Sequence, residues 1–286
     1  MGLKSRKTSN NSPSIVSPLN ITGPAIDRTV ERSQHAEGRE IDAKFFIPKE
    51  VAQKLVKGLR FTQIEQHYFR GGDITSLLEV FVHSKRPSQT PYPTRPETKK
   101  ISMTDEFSSA RIRRTRAAKE SPSYSIEFKG SKEGEANLRI SRREISYPIT
   151  SAEYKSLKDE ATAGAIRKRR YAIPGTITVN GQVIQVTAQV DRLQAAGRKL
   201  HKVEAEFDTV DIELHDTAHI HALRAGHHSF QFLENCIEIS ALDRKICKPL
   251  TTRRLAKHGL REDALKAVKT LEAATENQED KATLIL

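Results

Sequence analysis

Hydrophobic and polar positions alternate with period two along much of the chain, the signature of strands with two unlike faces. The alternation first appears over Arg39–Ile47, where Glu40, Asp42 and Lys44 share one side and Ile41, Ala43 and Phe45 the other. Pro48 then suits a helix start, and Val51, Leu55, Val56 and Leu59 fall on one helical face. Strands are predicted over Phe61–Arg70, Leu77–His83, Ala110–Thr115, Tyr124–Lys129, Leu138–Ile149 and Ile166–Ile173. Thr150 with Glu153 reads as a capping box opening a helix to about Ala163, ended at Gly164. Pro174-Gly175 reads as a break after the strand from Ile166. Asn180-Gly181 between β-branched runs predicts a tight hairpin joining Thr176–Val179 to Gln182–Leu193. A further strand is expected over Lys199–Phe207. Thr209–Ala225 reads as partly helical, Phe230–Ser240 as a strand or irregular packing segment, and Thr251–His258 and Glu262–Thr275 as helices.

The pattern predicts a mainly β, α+β chain. Residues 1–38 are rich in Ser, Asn, Pro and charge and are expected to form a disordered tail. Residues 39–258 form the folded domain, with a proline-interrupted loop insertion at 84–109, and 259–286 form a C-terminal helix and tail. Many of the strands set charges on a single face. Antiparallel strands with such faces turned inward would enclose a wet, charged interior. The bland alternative is a set of solvated outer faces.

Composition sharpens this picture. The 286 residues carry 48 basic and 36 acidic side chains, a net charge of +12, which favours an anionic partner. Two cysteines, Cys236 and Cys247, exclude a disulfide framework and a cysteine zinc site. No apolar run is long enough to cross a bilayer, so a soluble, cytoplasmic protein is expected. His215, His219, His221, His227 and His228 cluster locally but lack a metal-ligand pattern and read as a solvated segment.

The candidate inward charges fall into two sets. Lys44, Arg111, Arg113, Lys129, Lys168, Arg170 and Lys202 suit phosphate oxygens. Glu40, Asp42, Glu144, Asp191, Glu204 and Glu206 suit a hard divalent cation such as Mg²⁺ or Mn²⁺. Both sets in one cavity point to phosphoryl chemistry.

These residues resemble the triphosphate tunnel metalloenzyme family, also called the CYTH superfamily, from about Arg39 to His258. Glu40-Ile41-Asp42-Ala43-Lys44 is similar to the family's Glu-x-Glu-x-Lys strand, and Gln66-His67-Tyr68 to its Gln-Gly-Tyr strand. The paired arginines are matched by Arg111 and Arg113, the Lys-Gly strand end by Lys129-Gly130, and Lys-x-Arg-Tyr by Lys168-Arg169-Arg170-Tyr171. The inward Asp is matched by Asp191 and the late Glu-x-Glu by Glu204-Ala205-Glu206. The resemblance implies an eight-stranded antiparallel β-barrel, or tunnel, that binds a triphosphate with one or two divalent metals and hydrolyses it. Glu40, Asp42, Glu204 and Glu206 would hold metal, with Glu144 and Asp191 as further candidates. Lys44, Arg111, Arg113, Lys129, Lys168 and Arg170 would hold phosphate, and Lys44, Glu40 and Asp42 would be catalytic. The chain departs from the pattern at Asp42, Ser146 and Gln189, where the family often has Glu.

A class IV-type adenylate cyclase making cyclic AMP from ATP is a second reading. A catalytically weak triphosphate- or RNA-end-binding protein is a third. Nucleic acid would enter only through an RNA 5′-triphosphate end or nonspecific charge, and no membrane partner is expected.

Overall fold

The computed structural model describes residues 36–70, 74, 77, 107–130, 141–161, 163–197, 200, 207–214, 216–239, 242 and 244–277. At 36–42, 141–143, 217, 244 and 247 it describes the backbone alone. The expected N-terminal tail, most of the 84–109 insertion, Lys202, Glu204, Glu206 and His215 lie outside the described residues.

The first strand, β1 (Ala36–Phe46), is followed by helix α1 (Lys49–Leu55). Three antiparallel strands come next: β2 (Thr62–Tyr68), β3 (Phe107–Arg116) and β4 (Ser123–Gly130). Then follow β5 (Ser141–Pro148), helix α2 (Ser151–Glu160) and the long hairpin β6 (Gly164–Val179) and β7 (Gln182–Gly197). Strand β8 (Asp208–Leu214), helix α3 (Thr217–Arg224) and the two-residue β9 (Ile237–Glu238) lead into α4 (Arg244–Cys247), α5 (Thr252–His258) and α6 (Glu262–Glu276).

All nine strands belong to one antiparallel sheet, in the order β5-β4-β3-β2-β6-β7-β8-β1-β9, with an additional β5–β1 pairing. The count is nine rather than the eight expected, because β9 adds a short pairing beside Phe45 and Phe46. Strand β1 uses its first half, Ala36–Ile41, against β5 and its second half, Ile41–Phe46, against β8.

The apolar faces of the strands are covered by helices. Ile112, Ile126, Phe128 and Ile145 pack with Tyr154 and Leu157 of α2. Val190, Val210 and Ile212 pack with Ile220 and Leu223 of α3 and with Phe230. Phe46, Ile166 and Ala196 pack with Leu255 of α5 and with Val268 and Leu271 of α6. Full burial of side chains of this size contributes about 1.5–3 kcal/mol each, which anchors the helices to the sheet. The α6 stripe Ala264, Ala267, Val268, Leu271 and Ala274 recurs at helical spacing, so the C-terminal helix is bound to the same core as β1 and β6.

Several local expectations are met and several corrected. The Thr150–Glu153 capping box is present in both directions. Asn180 and Gly181 both have positive φ, 50° and 79°, as a hairpin turn of this kind requires. Helix α2 ends at Glu160, before the expected Ala163, and Gly164 begins β6 instead of capping the helix. Gly164 takes φ 123°, and an added Cβ would lie 2.0 Å from the Ala256 carbonyl oxygen of α5. Its glycine character is therefore used for a close backbone crossing. Pro174-Gly175 does not break the strand. Beyond Arg170, β6 has left β2, so the missing Pro174 N–H sits on an edge without a β2 partner. Phe230 packs over Gly175, where a Cβ would lie 2.2 Å from its ring. Leu77 is helical, so it does not begin the expected strand. The stretch read as partly helical from Thr209 is a strand to Leu214 and a helix from Thr217.

Candidate functional site: a charged wall across seven strands

The face opposite α2 and α3 is built from alternating charged positions, and α5 packs across one end of it against Ile166 and Leu193. Antiparallel register sets side chains of unlike charge directly opposite one another. Arg111 of β3 faces Glu127 of β4, and Lys129 faces Glu144 of β5. Arg170 of β6 faces Asp191 of β7, and Lys44 of β1 faces Asp211 of β8. Such cross-strand pairs stabilise the ladder where like charges would oppose it.

These pairs are made. Glu127 bridges two guanidiniums, with Oε2 2.6 Å from Arg111 Nε and Oε1 2.9 Å from Arg113 Nη1. The Gln66 side-chain oxygen, with its amide oriented to satisfy both ends, accepts from Arg113 Nε and Nη2 at 2.9 Å. Lys129 Nζ lies 2.6 Å from Glu144, which also lies 4.0 Å from Arg111. Arg170 holds Asp191 through two parallel bonds of 2.7 Å, and Lys168 Nζ donates to the same carboxylate. Asp211 lies 3.1 Å from Lys44 and 3.7 Å from Arg170.

Burial makes this wall unlike a solvated face. Glu127, Lys129, Lys168 and Asp191 are 2%, 5%, 7% and 5% exposed. Desolvation of ions on this scale costs several kcal/mol each unless partners offset it. Burial raises the Glu127 carboxyl, but the charges of Arg111, Arg113 and Lys129 override it and hold it down at about 2. Burial raises Asp191 too, and Lys168 and Arg170 override it, holding the carboxyl well below its usual range. Burial, then Arg170, pushes the Lys168 ammonium down to about 7. Burial works against Arg170 as well, but Asp191 and Asp211 raise it above its ordinary value. At one end of the wall a small pocket is lined by Lys44, Lys168, Asp191 and Thr209, and by Thr252 and Leu255 of α5.

Of the residues singled out from the sequence, Lys44, Arg111, Arg113, Lys129, Glu144, Lys168, Arg170 and Asp191 stand together on this wall. Glu40 and Asp42 lie on β1, opposite Arg142 of β5 and Glu213 of β8. Ser146 stands opposite Glu127, and Gln189 opposite Asp211. Among the described residues, no three His, Cys, Asp or Glu side chains are grouped to hold a metal ion, His219, His221, His227 and His228 included.

The sequence reading passed over Glu127, Asp211 and Glu213. Glu127 lies two residues before Lys129 on the same face, so alternation alone was enough to find it. Thr209, Asp211 and Glu213 alternate cleanly with Val210, Ile212 and Leu214, a signal hidden by reading that stretch as partly helical.

No protein-family model and no curated protein matches the chain. Among solved structures, the chain is similar to the crystal structure of the hypothetical protein NE1496, with 14% identity over 76% of this chain and 97% of that one and a TM-score of 0.30. A structure titled as the inorganic triphosphatase NE1496 matches with 13% identity over 62% of this chain and 75% of that one, with a TM-score of 0.27. Likenesses this distant carry no argument about this chain.

Proposed function

We propose that the chain binds a triphosphate within a β-tunnel and, with Mg²⁺ or Mn²⁺, hydrolyses its terminal anhydride. The observation that carries this reading is a wall of six cations, Lys129 and Lys168 buried and Lys44, Arg111, Arg113 and Arg170 half-buried, interleaved with carboxylates. A solvated face has no reason to bury such groups, and an apolar partner would cover the donors their carboxylates leave over. A chain of phosphates complements them. The double pairing of β1, with β8 and with β5, supports a sheet that wraps round on itself and turns this wall inward.

Arg111, Arg113, Lys129, Lys168 and Arg170 would hold phosphate oxygens, and Lys44 would position the terminal phosphoryl group. Water oxygen attacks the terminal phosphorus, the bond to the bridging oxygen breaks, and diphosphate leaves from tripolyphosphate while the water's proton passes to solvent. For a divalent ion, Asp211 offers a donor among the described residues. Asp211 Oδ1 is buried and accepts no hydrogen bond, although Lys44 Nζ is near it. Asp42 stands opposite Glu213 two positions further along the same ladder. Hard carboxylate oxygens beside phosphate-binding cations suit Mg²⁺ or Mn²⁺. Asp211, Asp42, Glu40, Glu204 and Glu206 are the proposed ligands, with Glu144 and Asp191 engaged chiefly in orienting bases. The bound ion would neutralise charge developing on the transferring group and lower the pKa of its water.

A second reading has its own support. Most of the cations already face a built-in carboxylate, so an incoming triphosphate competes with Glu127, Glu144 and Asp191. That arrangement favours binding with little turnover. Incubation with tripolyphosphate, ATP and thiamine triphosphate in Mg²⁺ or Mn²⁺ decides between them. Phosphate release well above an Arg170→Ala control supports the hydrolase. Calorimetric binding without release supports the binding protein, and cyclic AMP with pyrophosphate from ATP supports a cyclase. Neither binding nor release overturns the proposal.

A further inference from the structure

The opposite surface of the same strands carries a second, separate concentration of positive charge. In β2, Gln63 stands opposite Arg116 of β3 on one side and Arg169 of β6 on the other. Arg169 in turn stands opposite Arg192 of β7. These four positions form a row across the sheet, spanning about 14 Å at ~4.8 Å per strand. The neighbouring row is Arg114, Glu65 and Arg167.

These residues alternate with Arg111, Arg113, Lys168 and Arg170 along β3 and β6, so they face away from the charged wall. Their contacts agree. Arg167 reaches Glu65, which also binds Lys158 of α2. The Arg169 guanidinium lies 4.6 Å from the Phe61 ring centre.

Little on this face neutralises the charge. The carboxylate within it, Glu65, is buried and already engaged by His67, Lys158 and Arg167. Arg192 is paired with Asp208. Arg114, Arg116 and Arg169 have no ion pair with a carboxylate among the described residues. Arg116 and Arg169 are exposed, and Phe61 beside Arg169 is 38% exposed.

We propose that the outer face of β3, β2 and β6 is a docking surface for single-stranded nucleic acid. Guanidiniums in rows bind successive phosphates with paired hydrogen bonds. An exposed aromatic ring with a stacked guanidinium offers a platform for an unpaired base. An open sheet face has room for splayed bases, whereas a duplex keeps its bases stacked and paired. This surface is independent of the triphosphate reading, because it shares no residue with the charged wall.

The test uses the full chain and a labelled single-stranded RNA with a 5′-hydroxyl end, followed by fluorescence anisotropy across a salt series. Arg116→Gln combined with Arg169→Gln is expected to weaken binding several-fold. It should lower the slope of log K against log salt by about 1.4, roughly 0.7 for each phosphate no longer neutralised. Arg170→Gln, on the other face, should leave RNA binding unchanged. Thermal unfolding of both variants checks that they fold, and each single arginine variant replaces the double if it does not. Unchanged affinity in the outer-face variants, displacement of the RNA by tripolyphosphate, equal affinity for duplex RNA, or preferential capture by anionic phosphatidylserine vesicles each overturns the proposal.

Discussion

Removing the charge of Glu127 perturbs the centre of the wall while keeping its shape. In Glu127→Gln, Arg111 and Arg113 lose the carboxylate they share and remain two buried cations on one side of one strand. Two routes give the magnitude. The Glu127 carboxyl is lowered from 4.5 to about 2. That difference is roughly 2.5 units, which at 1.36 kcal/mol per unit is about 3 kcal/mol. Independently, removing one partner of a buried ion pair costs about 3–5 kcal/mol. The sign follows from the direction of the shift. A depressed carboxyl contributes its full stability above pH 4.5 and loses it as pH falls through about 2. The wild-type chain should therefore lose about 3 kcal/mol more than the variant on acidification across that window. Glu65 and Asp191 are depressed as well and add to the acid loss of both proteins, so the difference between them is the measure. The chain has no tryptophan, so urea unfolding is followed by far-UV circular dichroism. A loss under about 1 kcal/mol at neutral pH, or identical acid slopes in the two proteins, would refute the reasoning.

Two further outcomes follow from the geometry. Lys168 is held near half-protonation at about 7, so a phosphate bound against it should draw in a proton. Calorimetric titration with tripolyphosphate above that pH, in two buffers of different ionisation enthalpy, should show proton uptake that Lys168→Met abolishes; equal heats in the two wild-type titrations would count against it. Gly164→Ala places a Cβ 2.0 Å from the Ala256 carbonyl oxygen at φ 123°, and should cost more than about 2 kcal/mol, read as a large fall in Tm; an unchanged Tm would exclude the close crossing of β6 and α5.

Much of the strand pattern was legible because it depends on neighbours in the chain. Period-two alternation identified β1, β2, β3 and β4 within a few residues, and Asn180-Gly181 located the hairpin. Short-range signals failed where a distant element changed their meaning. Gly164 looked like a helix stop but is needed for contact with α5, far later in the chain. Pro174-Gly175 looked like a strand break but lies on an edge and under Phe230.

The candidate site divides in the same way. The sequence by itself determined which residues carry charge and on which side of each strand they stand, since alternation is a property of the extended backbone. It marked Lys44, Arg111, Arg113, Lys129, Lys168 and Arg170 as candidate phosphate ligands. Only the tertiary structure decided what each charge meets. Register between β1 and β8, far apart in sequence, set Lys44 against Asp211, register between the neighbouring β3 and β4 set Arg111 against Glu127, and α2 and α3 buried the sheet's other face. An ion's energy depends on its partners and its distance from water, and both are fixed by chain segments that local pattern does not connect.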